Sequence, residues 1–194
     1  CCAGTTKFGL AGWHTEGRNP SNLLVFVTEK NAAKGRHALK MLNDKSIGPT
    51  PALRSWGRRL SGRQTHQFDM YLEPGATFEY SILDANVPRR RYAVETAVFR
   101  VNGQGDLAGA DGKTVMRLPS GTWVHVEMRI SLGLAACGAY DLRVCLPHGN
   151  SRLVTAIPLP RTLRQIDGFR FAVGGQDKTA VCLDNLDIES DRPR

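Results

Sequence analysis

The chain has 194 residues, of which 41% are hydrophobic and 23% carry a charge. These values are ordinary for a soluble globular protein, and the length suits a single domain with a two-sheet core. No apolar run approaches the roughly 20 residues that a membrane-spanning helix requires, so the sequence predicts no transmembrane segment.

Arginine dominates the charge of the chain. The net charge is +8, and 19 of the 26 basic residues are arginine. A guanidinium pairs bidentately with carboxylate, sulfate or phosphate, so an anionic partner is one interpretation. Codon usage in a G+C-rich genome is the other. Nucleic acid is not predicted as the partner, because the sequence has no helix-turn-helix, RNP-type strand or zinc-finger spacing.

The five cysteines are Cys1, Cys2, Cys137, Cys145 and Cys182. Their odd number excludes complete internal pairing, and none belongs to a CxxC or Cys/His pattern typical of metal sites. Cys137 and Cys145 flank one connection, which leaves a disulfide between them open. Cys145 and Cys182 lie in strand-like runs, and we interpret them as small buried residues.

The N-terminal part of the chain predicts two strands and a long loop. The first strand is Leu23–Thr28. Within Lys30–Asp44, the central Gly35 and the alternating residues after it favour a turn and a strand over an amphipathic helix. The segment Ser46–Ser61 combines two prolines, two glycines and three arginines without a clean period. It therefore predicts a loop, and this loop carries Trp56.

Later segments alternate apolar and polar residues, with turn signals such as Asn102-Gly103 and Asp111-Gly112 between strands. The many short strands predict an all-β fold, an antiparallel two-sheet β-sandwich or a barrel. One domain is expected over residues 1–194, with flexible ends at 1–6 and 190–194. The predicted strands are Gln64–Leu72, Thr77–Leu83, Tyr92–Val101, Trp123–Ile130, Tyr140–Cys145, Arg152–Ile157, Gly168–Val173 and Ala180–Ile188.

Five segments occur in a familiar order. They are Gly35–Lys40, His66–Met70, the N-G-x-G-x-L hairpin at Asn102–Leu107, the P-x-G-x-W-V-x-x-E strand at Pro119–Glu127, and the D-N-containing last strand at Ala180–Ile188. Together they resemble the concanavalin A-like (laminin G-like) jelly-roll domains of bacterial carbohydrate-active or cell-surface proteins. The resemblance covers most of the chain from about Val25 onward.

Domains of this type are often appended to polysaccharide-degrading enzymes or occur in large secreted proteins, and many of them only bind glycan. The resemblance therefore implies a lectin-like role with a polysaccharide or oligosaccharide as partner. It also implies a larger multidomain bacterial protein that is located in the periplasm, at the cell surface or outside the cell. It implies no cofactor for catalysis.

The fold also supports enzymes, so catalytic residues have to be found individually. Laminarinase-type glycosidases of this architecture carry two carboxylates on one strand, spaced E-x-D-x-x-E, which retention requires to lie about 5.5 Å apart. That spacing is absent here, because Glu79 is followed by Asp84, and Glu95 and Glu127 stand alone. Ser120 lacks the G-x-S-x-G frame of a nucleophile. Hydrolase activity is therefore not favoured.

A polysaccharide lyase is the main enzymatic alternative. Alginate-lyase-type jelly rolls use Arg, Gln or Asn, His and Tyr to neutralise a uronate carboxylate and to move a proton. The local motifs of those enzymes are not matched, since Gln165-Ile166 is followed by Asp167 where they carry histidine. The residues that could contribute to such a site are His66, Gln67, Tyr71, Tyr80, Arg91 and Tyr92.

Asp184 has two open roles. In several jelly-roll sugar-binding modules, an aspartate on the last strand helps to bind a structural calcium ion, which takes six to eight oxygen ligands. The usual early acidic partner is not evident, because Phe8 is followed by Gly9 rather than by glutamate. Asp184 is therefore either a ligand of structural calcium or a capping and hydrogen-bonding residue.

Glycan binding needs an aromatic surface for the apolar face of a sugar and planar polar groups for its hydroxyls. Trp123 is expected in the core, as the resemblance implies, so Trp56 is the better candidate. The prediction is a non-catalytic module that binds an acidic polysaccharide, bearing uronate or sulfate; the alternatives are a lyase or hydrolase and a structural or adhesion domain. The predicted ligand-binding residues are Trp56, Arg58, Arg59, Tyr71, Arg89, Arg91 and Tyr92.

Overall fold

The structure is a computed structural model that describes residues 13–15, 24–47, 51–59, 61–84 and 93–191, with backbone only at 13–15, 58 and 148. These ranges form fourteen β-strands and two short 3-10 turns, at Gly133–Ala135 and Pro147–Gly149. The strands are β1 (Trp13–Thr15), β2 (Val25–Thr28), β3 (Ala38–Asn43), β4 (Ala52–Arg59), β5 (Gly62–Leu72), β6 (Ala76–Asp84), β7 (Val94–Val101), β8 (Asp106–Gly109), β9 (Thr114–Arg117), β10 (Trp123–Leu132), β11 (Ala139–Cys145), β12 (Ser151–Pro158), β13 (Ile166–Gly175) and β14 (Thr179–Asp191).

The strands form two seven-stranded antiparallel sheets. Sheet A has the order β1-β4-β13-β6-β7-β8-β9, and sheet B has the order β12-β11-β10-β5-β14-β3-β2. The two sheets pack face to face, which confirms the predicted all-β sandwich of jelly-roll type. None of the helical segments in the described ranges is long or apolar enough to span a bilayer.

Period-2 alternation fixes the register of sheet B. On β10, Val124, Val126, Met128 and Ile130 are buried, as the sequence predicts, and the residues between them lie on the outer face. β10 pairs with β5 on one side and with β11 on the other. A shift of one residue would expose all four apolar side chains, so this register is strongly preferred.

Aromatic side chains fill the centre of the sandwich. Phe68 of β5 reaches across to Phe78, Tyr80, Phe99 and Phe171 of sheet A, with ring centroids 5.2–6.3 Å away. All five are at most 2% exposed. Truncating one such ring to alanine typically costs about 3–5 kcal/mol, so this cluster contributes much of the stability.

The predicted loop over Ser46–Ser61 is wrong, because its second half is the strand β4. β4 pairs with β1 on one side and with β13 on the other. Leu53 is the one inward-facing apolar residue of β4, and its cross-strand partner on β13 is Phe171. Arginine and tryptophan occupy the outer positions of the strand. One inward apolar residue gives almost no alternation, and the strand forms because β13 supplies both hydrogen bonds and apolar neighbours.

The expectation that Trp123 lies in the core is also wrong. Trp123 begins β10 on the same face as His125 and Glu127, and its side chain is only half-buried. Its cross-strand partner is Tyr71 of β5, and the two rings lie 5.6 Å apart at 53°. Parity along the strand therefore decides its position, since the neighbouring Val124 takes the buried side.

The described cysteines are free thiols. Cys137 is exposed, Cys145 is half-buried and Cys182 is buried, so the structure contains no Cys137–Cys145 disulfide. Burial raises the pKa of the Cys182 thiol to about 11, which makes it a packing residue and not a nucleophile. Residues 1–6, predicted to be flexible, lie outside the described ranges, as do 192–194, and β14 continues to Asp191.

Candidate functional site

The outer face of sheet A brings together arginine, glutamate and a tryptophan. Phe169 and Phe171 of β13 are buried, so Arg170 between them lies on the outer face. The register places Arg54 of β4 and Ser81 of β6 on either side of Arg170. We call this surface the sheet A face and define it by Arg54, Trp56, Glu79, Ser81, Glu95, Arg100 and Arg170.

Trp56 presents an aromatic surface on this face. It is 41% exposed and is the cross-strand partner of Gly168. A Cβ atom at position 168 would lie 3.2 Å from Cε3 of the indole, so the glycine allows the ring to approach β13 closely. The Arg54 guanidinium lies 5.4 Å from the ring centroid, within cation–π range. The Arg54 guanidinium therefore lies over the indole ring, and its positive charge adjoins the exposed part of the aromatic surface.

Arg170 lies at the centre of a charged network. Its Nη1 lies 3.0 Å from Oε1 of Glu95 and 3.9 Å from Oε1 of Glu79. Arg100 contacts the other oxygen of Glu79, with its Nε 2.5 Å from Oε2, and the Ser81 hydroxyl donates to Glu79 Oε1 at 3.0 Å. The side chain of Arg170 is 18% exposed and that of Arg100 is 66% exposed. The glutamates therefore orient one largely buried and one solvent-facing guanidinium.

A groove of about 580 Å³ opens on the same face. Glu79, Arg100 and Arg170 line it, and the small residues Ala172 and Gly174 of β13 leave room above the sheet. A volume of this order lies within the range of small-ligand sites in proteins. It is therefore an open groove whose charged lining residues are Glu79, Arg100 and Arg170.

The chemistry of the sheet A face is suited to binding. Aromatic rings stack on the apolar faces of sugars, and guanidinium groups bind carboxylate or sulfate. The seven residues that define the face include no histidine, tyrosine or lysine that could accept a proton from a substrate. Glu79 and Glu95 are ion-paired with arginine, so each carboxylate accepts hydrogen bonds from guanidinium groups.

The predicted ligand-binding residues are not all on this face. Trp56 lies on it, and Tyr71 lies on the outer face of sheet B against Trp123. Arg59 is opposite the buried Ile166, and its Nη1 donates to the carbonyl of Gly57 at 2.7 Å. The positive charge of Arg59 acts to lower the pKa values of His66 and Tyr80, which lie in the core. The side chain of Arg58, and Arg89, Arg91 and Tyr92, lie outside the described part of the chain.

The residues of the lyase alternative do not converge in the described structure. His66 and Tyr80 lie in the core and share a hydrogen bond. Desolvation, helped by the nearby charge of Arg59, lowers the pKa of His66 to about 3, and burial raises the pKa of Tyr80. Gln67 and Tyr71 lie on the outer face of sheet B instead. Of the six residues predicted for a lyase site, two therefore lie in the core and two lie on the outer face of sheet B.

Asp184 is a hydrogen-bond acceptor in the structure. Its Oδ2 accepts the backbone N–H groups of Ala33 at 2.9 Å and Lys34 at 3.1 Å, and its Oδ1 accepts that of Asn185 at 2.8 Å. Asp184 therefore ties the β2–β3 connection to β14. Within the described ranges, no group of three or more His, Cys, Asp or Glu side chains could hold a metal ion. A calcium ion at Asp184 stays a prediction.

Sequence reasoning did not identify Arg54, Glu79, Arg100 and Arg170 as a group. A local signal exists, because Phe169-Arg170-Phe171 and Arg54-Ser55-Trp56 each place a basic or aromatic residue at alternate positions. Such alternation predicts which residues of one strand share a face of the sheet, but it does not predict which strands are neighbours. The pairing of β13 with both β4 and β6 is what joins the residues into one surface.

No known protein-family model matches the chain, and no curated protein sequence does. Solved structures with the same fold are similar over nearly the whole chain. They include a marine alginate lyase from Aplysia kurodai (TM-score 0.64, 11% identity, 92% of this chain and 90% of that chain covered). Another is an endo-β-1,4-glucuronan lyase from the fungus Trichoderma reesei (TM-score 0.59, 15% identity, 94% and 92% covered). A third is a carbohydrate esterase from the Shiga toxin-encoding bacteriophage phi24B (TM-score 0.60, 10% identity, 96% and 93% covered). At these identities the likeness establishes the jelly-roll fold.

Proposed function

We propose that this chain is a non-catalytic carbohydrate-binding domain that binds an acidic polysaccharide on the sheet A face. The observation that carries the proposal is the juxtaposition of the exposed Trp56 ring with Arg54 and, across the strand, Arg170. The ring stacks on a sugar, and the two guanidinium groups pair with its carboxylate or sulfate groups. The groove beside Arg170 and Arg100 accommodates further sugar residues along the chain of the polysaccharide.

Binding is favoured over lyase chemistry because the histidine and the two tyrosines that are both described and predicted for a lyase site lie elsewhere. His66 and Tyr80 face the core, where a polysaccharide has no access. Tyr71 lies on the other sheet. Two fold neighbours are named as lyases of alginate and glucuronan, and these two polysaccharides are therefore the natural first ligands to test.

The location and context follow from the proposed ligand. A domain that binds an acidic polysaccharide works where that polysaccharide is present. We therefore expect a lectin-like module of a larger, secreted bacterial protein, which acts outside the cell, in the periplasm or at the cell surface. Fractionation of the source cells checks this expectation, since recovery of the native protein in the cytoplasm would contradict it.

Affinity electrophoresis with alginate, glucuronan and a sulfated glycan in the gel tests the proposal. We expect the wild-type protein to be retarded, and the retardation to weaken as NaCl rises, because exposed ion pairs are screened by salt. The variants Trp56→Ala and Arg54→Ala are expected to lose most of it. Arg152→Ala is the matched control, because Arg152 is an exposed arginine of sheet B.

Two results would contradict the proposal. The first is the absence of salt-sensitive retardation on any acidic polysaccharide. The second is turnover, seen as the ultraviolet absorbance of a new double bond or as new reducing ends when the protein is incubated with the same ligands. Turnover that persists in Trp56→Ala would favour the lyase or hydrolase alternative and would place the reaction elsewhere.

A further inference from the structure

The outer face of sheet B carries a second aromatic surface. Trp123 of β10 and Tyr71 of β5 are cross-strand partners whose rings lie 5.6 Å apart at 53°. Both are half-buried, and both point away from the core because their chain neighbours Val124 and Leu72 are buried. Two tilted aromatic rings on one sheet face form a shallow apolar surface. This surface lies on the opposite side of the sandwich from Trp56.

The polar side chains of His125, Asp69 and Asn185 lie near these rings. In the next cross-strand row, His125 Nδ1 lies 2.7 Å from Oδ1 of Asp69. The amide of Asn185 donates to the second oxygen of Asp69. The His125 side chain is 36% exposed and that of Asp69 is 19% exposed, so solvent reaches the group. An imidazole, a carboxylate and an amide held in fixed positions can all hydrogen-bond to hydroxyl groups.

The charges around the rings differ from those of the sheet A face. Beyond Asp69, the next row holds Glu127, with Gln67 and Asp187 beside it on β5 and β14. The guanidinium of Arg129 already pairs with Glu127, with 2.7 Å between Nε and Oε1. Two carboxylates lie two residues from Tyr71 along the chain: Glu73, which pairs with Lys40 at 2.9 Å, and Asp69, which has no lysine or arginine in its cross-strand row. An anionic sugar placed on the rings would meet a like charge.

We propose that Trp123, Tyr71, His125 and Asp69 form a second glycan-binding site that takes an uncharged sugar. The rings stack on the apolar face of a neutral hexose, and Asp69 and His125 hydrogen-bond to its hydroxyls. The site does not depend on the proposed function of the sheet A face. With both sites occupied, one domain joins an acidic polysaccharide on one sheet to a neutral polysaccharide on the other.

The test uses the indole N–H signals of the wild-type protein in two-dimensional NMR. The chain has three tryptophans, Trp13, Trp56 and Trp123, and substitution of each one assigns its signal. We titrate cellohexaose, mannohexaose and a β-galactan oligosaccharide separately, and then an alginate oligosaccharide. A neutral glycan is expected to shift the Trp123 signal and leave Trp56 in place, and alginate is expected to do the reverse.

Binding constants from calorimetry complete the test. Trp123→Ala is expected to weaken neutral-glycan binding about tenfold or more, with little dependence on NaCl, while Trp56→Ala leaves it unchanged. Since Trp123→Ala removes packing, Asp69→Asn serves as a second variant that keeps the shape of the site. No shift of Trp123 with any neutral glycan, or a shift of Trp56 in its place, would overturn the proposal. Failure of the sheet A site appears separately, as the loss of alginate binding.

Discussion

The indole of Trp56 lies against the backbone of Gly168, its cross-strand partner on the neighbouring strand β13. A Cβ atom on residue 168 would lie 2.4 Å from the carbonyl oxygen of Ser55 and 3.2 Å from the indole. Real Cβ atoms do not approach a backbone oxygen so closely, so any other residue at 168 would move β4 or the ring. The glycine therefore determines where the aromatic surface of the sheet A face lies.

Gly168→Ala is expected to weaken binding of acidic polysaccharide and to lower the free energy of unfolding by about 1–3 kcal/mol, the usual cost of overpacking. Gly57→Ala is the matched control, because the new methyl group would meet only the flexible guanidinium of Arg59, at 2.9 Å. Affinity electrophoresis and urea denaturation measure the two effects. Unchanged affinity in Gly168→Ala would separate Trp56 from the binding site.

The strand order could not be predicted from the sequence, whereas most individual strands could. Strands such as β5 and β10 alternate cleanly, because each buries one face and leaves the other at least partly exposed. β4 has no such pattern, since its neighbours supply most of the apolar surface that covers it. The two prolines and two glycines of the segment Ser46–Ser61 also suggest a loop.

The candidate site depends on the strand order of sheet A, which could not be predicted from the sequence. Trp56 and the arginine-rich character of the surface were identified from composition and local sequence. Arg170 and Glu79 join Trp56 only through the order β4-β13-β6 in sheet A. Tyr71 and Trp123 are separated from that site because β5 and β10 belong to sheet B, and strand parity places their rings on the outer face of that sheet.

His66 makes the stability of the fold depend on pH. Burial, together with the charge of Arg59, lowers its pKa from the ordinary value of 6.5 to about 3. Between these two values the unfolded chain binds a proton that the folded chain does not, so the free energy of unfolding falls as the pH falls from 6.5 to 3. The full contribution of neutral His66 is present above pH 6.5. The expected slope from this one group is about 1.4 kcal/mol per pH unit.

His66→Gln removes the titrating group and keeps a side chain that can hydrogen-bond to Tyr80. Urea denaturation of both proteins at several pH values isolates the histidine, because the carboxylates contribute equally to each. We expect the variant to have lower stability at neutral pH and a shallower pH dependence over the same window. Parallel curves for the two proteins would show that His66 titrates normally in the folded state.

The hydroxyl of Tyr140 joins the two sheets. It donates to the carbonyl of Val98 and accepts the backbone N–H of Ala110 at 3.2 Å, in a residue that is 2% exposed. Tyr140→Phe leaves two backbone groups without this partner, and each unsatisfied group costs about 1–3 kcal/mol. We expect a clear drop in the urea midpoint. Tyr71→Phe, at a half-buried surface ring, is the control, and an equal drop in both variants would contradict the bridging role.

Asp184 stabilises the connection between β2 and β3 through three backbone N–H groups. Asp184→Ala removes all three acceptor contacts, so we expect a loss of about 1–3 kcal/mol in the free energy of unfolding, measured by urea denaturation. Asp187→Ala is the matched control, because Asp187 is an exposed aspartate of the same strand whose carboxylate accepts the Gln67 amide. The measurement is repeated in EDTA and in millimolar calcium. A hydrogen-bonding role predicts the same loss in both solutions. A wild-type melting temperature that rises with calcium, and does not rise in Asp184→Ala, would instead make Asp184 a calcium ligand.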